Sequence, residues 1–261
     1  MSNTGATHTR VAVVTGAAQG IGEAVALRLA DDGYDIAVFD LPAKRAQVDA
    51  VVQTIQGKGR RAISVLGDAS LETDVQNLVD RSVEQLGGLD VMVANAGIVH
   101  SSPILDMAVE EYDNIMAVNA RSVMLAIKHA GRHMVKQGKG GRIIAAASLA
   151  AKQGVATGSA YCASKFAIRG LVQSAALELR EHDITVNSYA PGLIITPLST
   201  RPEDELNGGP GSTLIKQCGL PYDYKPGMPD EVAALVSYLA RPEARYVTGQ
   251  SIDINGGMRM D

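Results

Sequence analysis

"RVAVVTGAAQGIGEAV", residues 10–25, decides the fold. The apolar run from Val11 ends in glycine and reads as a buried strand. Ile21, Val25 and Leu29 follow with helical spacing, and Gly33 stops the helix. Between strand and helix lie Gly16, Gly20 and Gly22. Gly16 suits a tight turn. Gly20 lets the backbone approach a pyrophosphate, and Gly22 lets helix and strand pack closely, with the helix N-terminus facing the anion. The spacing is G-x-x-x-G-x-G rather than the commoner G-x-G-x-x-G, yet strand before and helix after is the context a dinucleotide needs. Gln19 and Ile21 belong to the same cofactor-binding loop.

Outward from this loop the pattern repeats. "DIAVFD" (35–40), "AISVLG" (62–67), "DVMVANAG" (90–97), "RIIAAAS" (142–148), "ITVNSYAPG" (184–192) and "QSIDING" (250–256) read as strands. Helices are predicted over 46–59, 74–87, Val109–Gln137, Ala160–His182 and 229–240. The alternation predicts an α/β single-domain Rossmann fold: a doubly wound parallel sheet of about seven strands with helices on both faces. No linker or repeat splits the chain, so residues 1–261 are one nucleotide-binding and catalytic domain, with 1–9 flexible. The stretch 197–228, with "LNGGPGS" and "YKPGMP", is too long for an ordinary connection and is expected to be a substrate loop or lid.

Composition narrows the function. Net charge is -4 over 261 residues and no basic stripe occurs, which argues against nucleic acid and against an anionic membrane. No apolar run is long enough to span a bilayer, and "MSNTGATHTR" lacks a secretory apolar region. The 2 cysteines, Cys162 and Cys218, form neither a disulfide framework nor a metal-ligand spacing, so no metal and a cytoplasmic location are expected.

Asp40 ends the second strand about twenty residues past the glycines, where an acid accepts the adenosine ribose hydroxyls and repels a 2′-phosphate. It points to NAD. Gln19 and Leu41 offer no cation for a 2′-phosphate, though Lys44 and Arg45 lie close by. Asp68, with Ala69, follows the third strand and either meets the adenine edge or caps the next helix.

Tyr161 and Lys165 stand one helical turn apart on one face. Bringing a phenol from ~10 to ~7.5 requires about 3.4 kcal/mol. An ammonium ~6 Å away at an effective dielectric of ~20 supplies roughly 2.8 kcal/mol. Tyr161 is then a general acid/base near neutrality. Cys162 points about 100° away on a helix of ~3.6 residues per turn and reads as packing. His100 lies near the expected pocket, more plausibly as an idle loop residue.

"TGAAQGIG", "NAG" at Asn95–Gly97, Asn119, Ser148, "YCASK" and "PGLIIT" at Pro191–Thr196 occur in that order. From about Arg10 onward the chain resembles the short-chain dehydrogenases/reductases. The resemblance implies that Tyr161 is the acid/base, that Lys165 tunes it and holds the nicotinamide ribose, that Ser148 polarises the substrate oxygen and that Asn119 holds a relay water. It also implies that Asn95, Ala96 and Gly97 line the cofactor groove with Pro191 and Gly192, and that Ile194 and Thr196 anchor the carboxamide. Ser148, Ala150, Ala156, Tyr161 and Leu193 would border the substrate, a modest neutral ketone or alcohol. "YCASKFAIRGLVQSAALEL" and "YVTGQSIDINGGM" are similar to the acetoin/diacetyl reductases, or 2,3-butanediol dehydrogenases, which use NAD. The alternatives are a 3-oxoacyl-(acyl-carrier-protein) reductase, a nucleotide-binding regulator without catalysis and, less plausibly, a structural partner. A homotetramer or homodimer is expected from the resemblance, joined through helices 109–137 and 160–182.

Overall fold

The computed structural model describes residues 9–221 and 223–260; the expectation of flexibility for 1–9 falls almost wholly outside them. Seven strands form one sheet: β1 (Val11–Thr15), β2 (Asp35–Asp40), β3 (Ala62–Leu66), β4 (Val91–Ala94), β5 (Gly141–Ala146), β6 (Ile184–Pro191) and β7 (Ser251–Ile254). Their order is β3-β2-β1-β4-β5-β6-β7, and every pairing is parallel. Continuous apolar runs such as "VAVV" are what a sheet covered on both faces requires.

One face packs against α1 (Gly20–Asp31), α2 (Arg45–Gly57) and α9 (Pro229–Ala240), through Val25, Leu29, Val51 and Val236. The other packs against α3 (Glu72–Leu86), α5 (Ser122–Gln137) and α6 (Ser159–Leu179), through Leu78, Val123, Ala130, Ile168 and Val172. Strand order reverses between β1 and β4, so a crevice opens beyond their carboxyl ends, the usual ligand position in such sheets.

The helix expected over 109–137 is continuous, but it is not uniform. α4 (Val109–Met116) meets α5 through a widened turn, Ala117–Arg121, in which the Ser122 amide donates to the Ala117 carbonyl five residues back. The predicted substrate loop holds two short helices, α7 (Asp204–Asn207) and α8 (Ser212–Gln217). Its base is stitched shut: the Ile195 amide donates to Gly227, and the Gly227 amide donates to Leu193, both at 2.9 Å. Asp204, almost fully buried, accepts from the amides of Arg201, Gly211 and Thr213 at 2.8–2.9 Å. The Thr213 hydroxyl first, and then those amides, hold its carboxyl well below the usual range, so the loop is organised around a charge.

Candidate active site

The glycine loop sits at the strand reversal. Gly16 has φ 64°, which a side chain resists, and a Cβ there would lie 2.9 Å from the Ala96 Cα. At Gly22 a Cβ would meet the Gly16 carbonyl at 2.1 Å, so the close packing expected of this position is real. Gln19 precedes α1 without capping it by its side chain. The first amides of the helix therefore face the crevice as anion donors, and a pyrophosphate fits there.

Asn95 fastens this loop from behind. Its Nδ2 donates to the carbonyls of Thr15 (3.0 Å) and Gly16 (3.1 Å). Its Oδ1 accepts from the hydroxyl of Tyr189 at 2.7 Å. The Thr15 hydroxyl accepts from the amides of Asn95 and Ala96 at 3.0 and 3.1 Å. The Asn95 side chain is thus spent on the scaffold, and what it and Ala96 give the groove is backbone. Thr15 and Tyr189 escaped the sequence reading. Both sit inside strands, where alternation marks them only as core.

Asp40 stands at the loop edge, accepting from Ala18 (2.9 Å) and Leu41 (2.8 Å) amides. Lys44 reaches the same edge, its Nζ donating to Gln19 Oε1 at 3.2 Å. The loop flank is therefore less free of cations than residues 19 and 41 alone imply. Asp68 Oδ1 accepts from the Ser70 amide at 2.8 Å, the turn-forming role, while Ala69 is buried beside it.

Past β5, Ser148 caps the short turn Leu149–Ala151, its Oγ accepting from the Ala150 amide at 3.1 Å. Ala150 is only 2% exposed, so it orients Ser148 from below instead of bordering substrate as expected. Ala156 is exposed at the lip of the loop before α6. The first turn of α6 carries Tyr161, whose phenol faces the Ser148 side chain. Lys165 lies one turn on, buried, with Nζ 5.4 Å from the Tyr161 ring centre and donating to the Ala146 carbonyl at 2.8 Å.

The electrostatics correct the sequence argument. Burial raises the Tyr161 phenol above its ordinary value, opposed by the Ser148 hydrogen bond, and brings the Lys165 ammonium down to about 8. Desolvation penalises both ions, so the charge attraction that alone would nearly activate the tyrosine does not win here. The site holds a neutral phenol beside a weakly held ammonium. That is a proton donor at rest.

Asn119 lies in the widened turn, fully buried, and is also committed. Its Oδ1 accepts from the Ile98 amide at 2.8 Å, and its Nδ2 donates to the Ile98 carbonyl and to Ser164 Oγ, both at 3.0 Å. The side chain anchors the loop after β4. Gly97 sits between, where a Cβ would lie 3.2 Å from Asn119 Oδ1 and 3.5 Å from Lys165 Nζ. From Pro191 the chain continues under the crevice: Ile194 is buried, and the Thr196 side chain comes against Gly20. Leu193 and Gly192 rest on Met258.

Cys162 is buried and Cys218 exposed; both are free thiols. His100 is exposed and bonded to Glu111. Among the described residues no group of three or more His, Cys, Asp and Glu could hold a metal, and no helix is long and apolar enough to cross a membrane.

Residues 16–259 match the family model described as "Enoyl-(Acyl carrier protein) reductase". A short-chain dehydrogenase/reductase of Hericium erinaceus is 48% identical over 95% of this chain and 96% of its own. L-2,3-butanediol dehydrogenase of Corynebacterium glutamicum is 42% identical over 95% and 98%. A 3-oxoacyl-[acyl-carrier-protein] reductase of Staphylococcus aureus is 35% identical over 97% and 99%. Among solved structures, acetoin dehydrogenase from Salmonella typhimurium superposes with TM-score 0.84 at 36% identity over 95% of both chains. A short-chain dehydrogenase from Burkholderia cenocepacia with NADP gives 0.85 at 37% over 96% and 98%. Carveol dehydrogenase from Mycobacterium avium with NAD gives 0.88 at 27% over 97% and 99%.

Two outcomes are expected. Tyr189→Phe leaves Asn95 Oδ1 without its buried donor and should cost about 1–2 kcal/mol in urea unfolding; an unchanged midpoint would show the bond to be idle. Lys165 has a folded pKa of about 8 against an ordinary 10.5, so the native state binds fewer protons than the unfolded chain between those values. Its burial penalty is full below pH 8 and fades as pH rises to 10.5. The nucleotide-free protein should therefore gain on the order of 3 kcal/mol relative to Lys165→Met across that window, at ~1.36 per unit. Parallel pH profiles of unfolding would contradict the burial.

Proposed function

The chain belongs to the short-chain dehydrogenase/reductase family, nicotinamide-dependent oxidoreductases of alcohols and ketones, and from that premise we propose that it interconverts a small neutral ketone and its secondary alcohol using NAD(H). The observation that carries the reading is the partly buried Tyr161 ring backed by the buried Lys165 ammonium, 5.4 Å from its centre and one helical turn on, with Ser148 beside the phenol. In the reducing direction Ser148 donates a hydrogen bond to the carbonyl oxygen, and Tyr161 delivers its proton to that oxygen as negative charge develops. The phenolate left behind faces the Lys165 ammonium, which repays the charge only at that moment. The nicotinamide nucleotide, when bound, supplies the hydride for the carbonyl carbon. In oxidation the same groups run backwards, with Tyr161 taking the alcohol proton.

The nucleotide would lie on the amides at the start of α1, with Asp40 and Asp68 at its adenosine end and Lys165, Ile194 and Thr196 at its nicotinamide end. Asp40 supports NAD over NADP because a 2′-phosphate would be placed against a carboxylate. Lys44 softens that discrimination without cancelling it, since Asp40 stands nearer the glycine loop. The stretch 197–228 serves as the lid over the substrate. The 42% identity to a butanediol dehydrogenase supports an acetoin- or diacetyl-like substrate. The carrier-protein reductase reading draws on the 35% identical relative, but the acidic balance of the chain and the absence of a basic docking patch weigh against a carrier-protein partner. A regulator without catalysis leaves the Ser148–Tyr161–Lys165 set unexplained. We place the protein in the cytoplasm as a tetramer or dimer; Tyr112, Met124, Phe166 and Leu177, 36–67% exposed on the two long helices, support the association.

Three measurements test this. NADH consumption should be fastest with diketones and hydroxyketones in a panel that includes cyclic ketones, aldehydes, sugars and acyl thioesters; preference for a thioester would reverse the substrate reading. Tyr161→Phe should abolish turnover while NADH still binds. In direct titration NADH should bind roughly tenfold or more tightly than NADPH, a gap of ~1.4 kcal/mol or more, and tighter NADPH binding would overturn the role of Asp40.

A further inference from the structure

We propose that the C-terminal hook, Asp253 to Arg259, positions the substrate-side wall of the active site, holding Ser148 in place through Lys152 and Leu193 through Met258. The chemistry of this inference rests on the alcohol/ketone reading above.

Lys152 closes the turn that Ser148 opens. Its amide donates to the Leu149 carbonyl at 3.0 Å. Its side chain is only 4% exposed, and Nζ donates to Asp253 Oδ2 at 2.8 Å. Asp253 stands on β7, the sheet's edge strand, and the Arg259 guanidinium lies 3.7 Å from the same oxygen. The other carboxylate oxygen of Asp253 is buried without a hydrogen bond, so its charge is met by these two cations on one side only. An ion pair with one partner this deeply buried is costly to break by removing the other. The turn is thereby pinned twice: the Ala150 amide orients the Ser148 hydroxyl, and the Lys152–Asp253 pair fixes the turn's far end to the sheet.

The hook is folded by Asn255. Its Oδ1 accepts from the Gly257 amide at 2.9 Å, and its Nδ2 donates to the Arg259 carbonyl at 3.0 Å. That fold brings the Met258 sulfur 3.3 Å from the Leu193 amide, which donates to it. Gly192 makes room, since a Cβ there would lie 2.7 Å from the same sulfur. The opposite side of Leu193 is fixed by its carbonyl bond from Gly227 at the lid base. Tyr224, also from the lid's end, donates its hydroxyl to the Asn255 carbonyl at 3.3 Å. Catalytic turn, crevice floor and lid base therefore converge on one short segment that the proton chemistry does not use.

The test compares Lys152→Met, Lys152→Arg, Asp253→Asn and Met258→Ala in the full chain. Lys152→Met and Asp253→Asn should lower kcat for ketone reduction by roughly 10- to 100-fold, the cost of a misplaced catalytic group. NADH affinity should stay within about twofold, and Lys152→Arg should recover most of kcat. Met258→Ala should act chiefly on the KM for ketone. In Lys152→Met, amide hydrogen exchange should quicken over 148–153 and stay unchanged over 15–22. An unchanged kcat or an unchanged exchange pattern in Lys152→Met overturns the proposal. So does a loss of NADH affinity with exchange quickened throughout the sheet, which marks the pair as fold support alone. If the unaltered protein reduces no ketone, the functional reading fails, and the exchange arm still decides whether the hook holds the Ser148 turn.

Discussion

One carboxamide joins the parts of this molecule that must not drift apart. A parallel sheet that reverses its strand order opens a gap beyond the carboxyl ends of β1 and β4, the two strands that pair at the reversal. Asn95 bridges that gap with three hydrogen bonds: two to the carbonyls that begin the glycine loop, and one from the phenol of Tyr189 on β6. Its neighbours in the crevice, Gly97, Asn119 and Lys165, are then set in sequence by contact. The anion-binding helix end and the proton-transfer face of α6 come from remote parts of the chain, and this bond set gives them a common frame.

Within that frame, burial is a stronger force than charge. Tyr161 and Lys165 share a dry site, and dryness favours the neutral form of each. The pair is therefore tense in its resting state. The tension is released when a phenolate forms opposite the ammonium, as it does in reduction. A site that left the phenol ionised at rest would have no proton to give in reduction. Ser148, beside the phenol and itself oriented by the Ala150 amide, steadies the donor.

Much of this was legible in the chain. Strand and helix positions follow from apolar period and glycine stops because a sheet covered on both faces allows little else. The roles of Gly16 and Gly22 could be read since they depend on backbone geometry alone. The i, i+4 spacing of Tyr161 and Lys165 placed them on one face correctly. The sign of their pKa shifts was not legible: spacing reports distance between charges and says nothing of the water excluded around them. Asn95 and Asn119 stand out in the sequence, but which way an amide side chain spends its bonds depends on Thr15, Ile98, Ser164 and Tyr189, brought in from elsewhere in the fold. Ala150, read as a wall, proved to lie beneath Ser148. Lys152 and Asp253 are about a hundred residues apart, so no local pattern could join them.

The widened turn at Ala117–Arg121 has a consequence for the way this helix can change. An α-helix advances about 100° per residue, so one extra residue in a turn throws everything beyond it out of phase by that angle. The apolar stripe of α4, with Ile115 buried, and that of α5, with Val123, Ala126 and Ala130 buried, are thus two stripes in two phases. The bulge reconciles them. A deletion of one residue there would give a more regular helix and a worse protein, because either Asn119 or the α5 core face would have to turn to solvent. Irregularity of this kind is insulated from drift toward the ideal helix: the correction is a single step, and that step is downhill in local geometry but uphill for the whole.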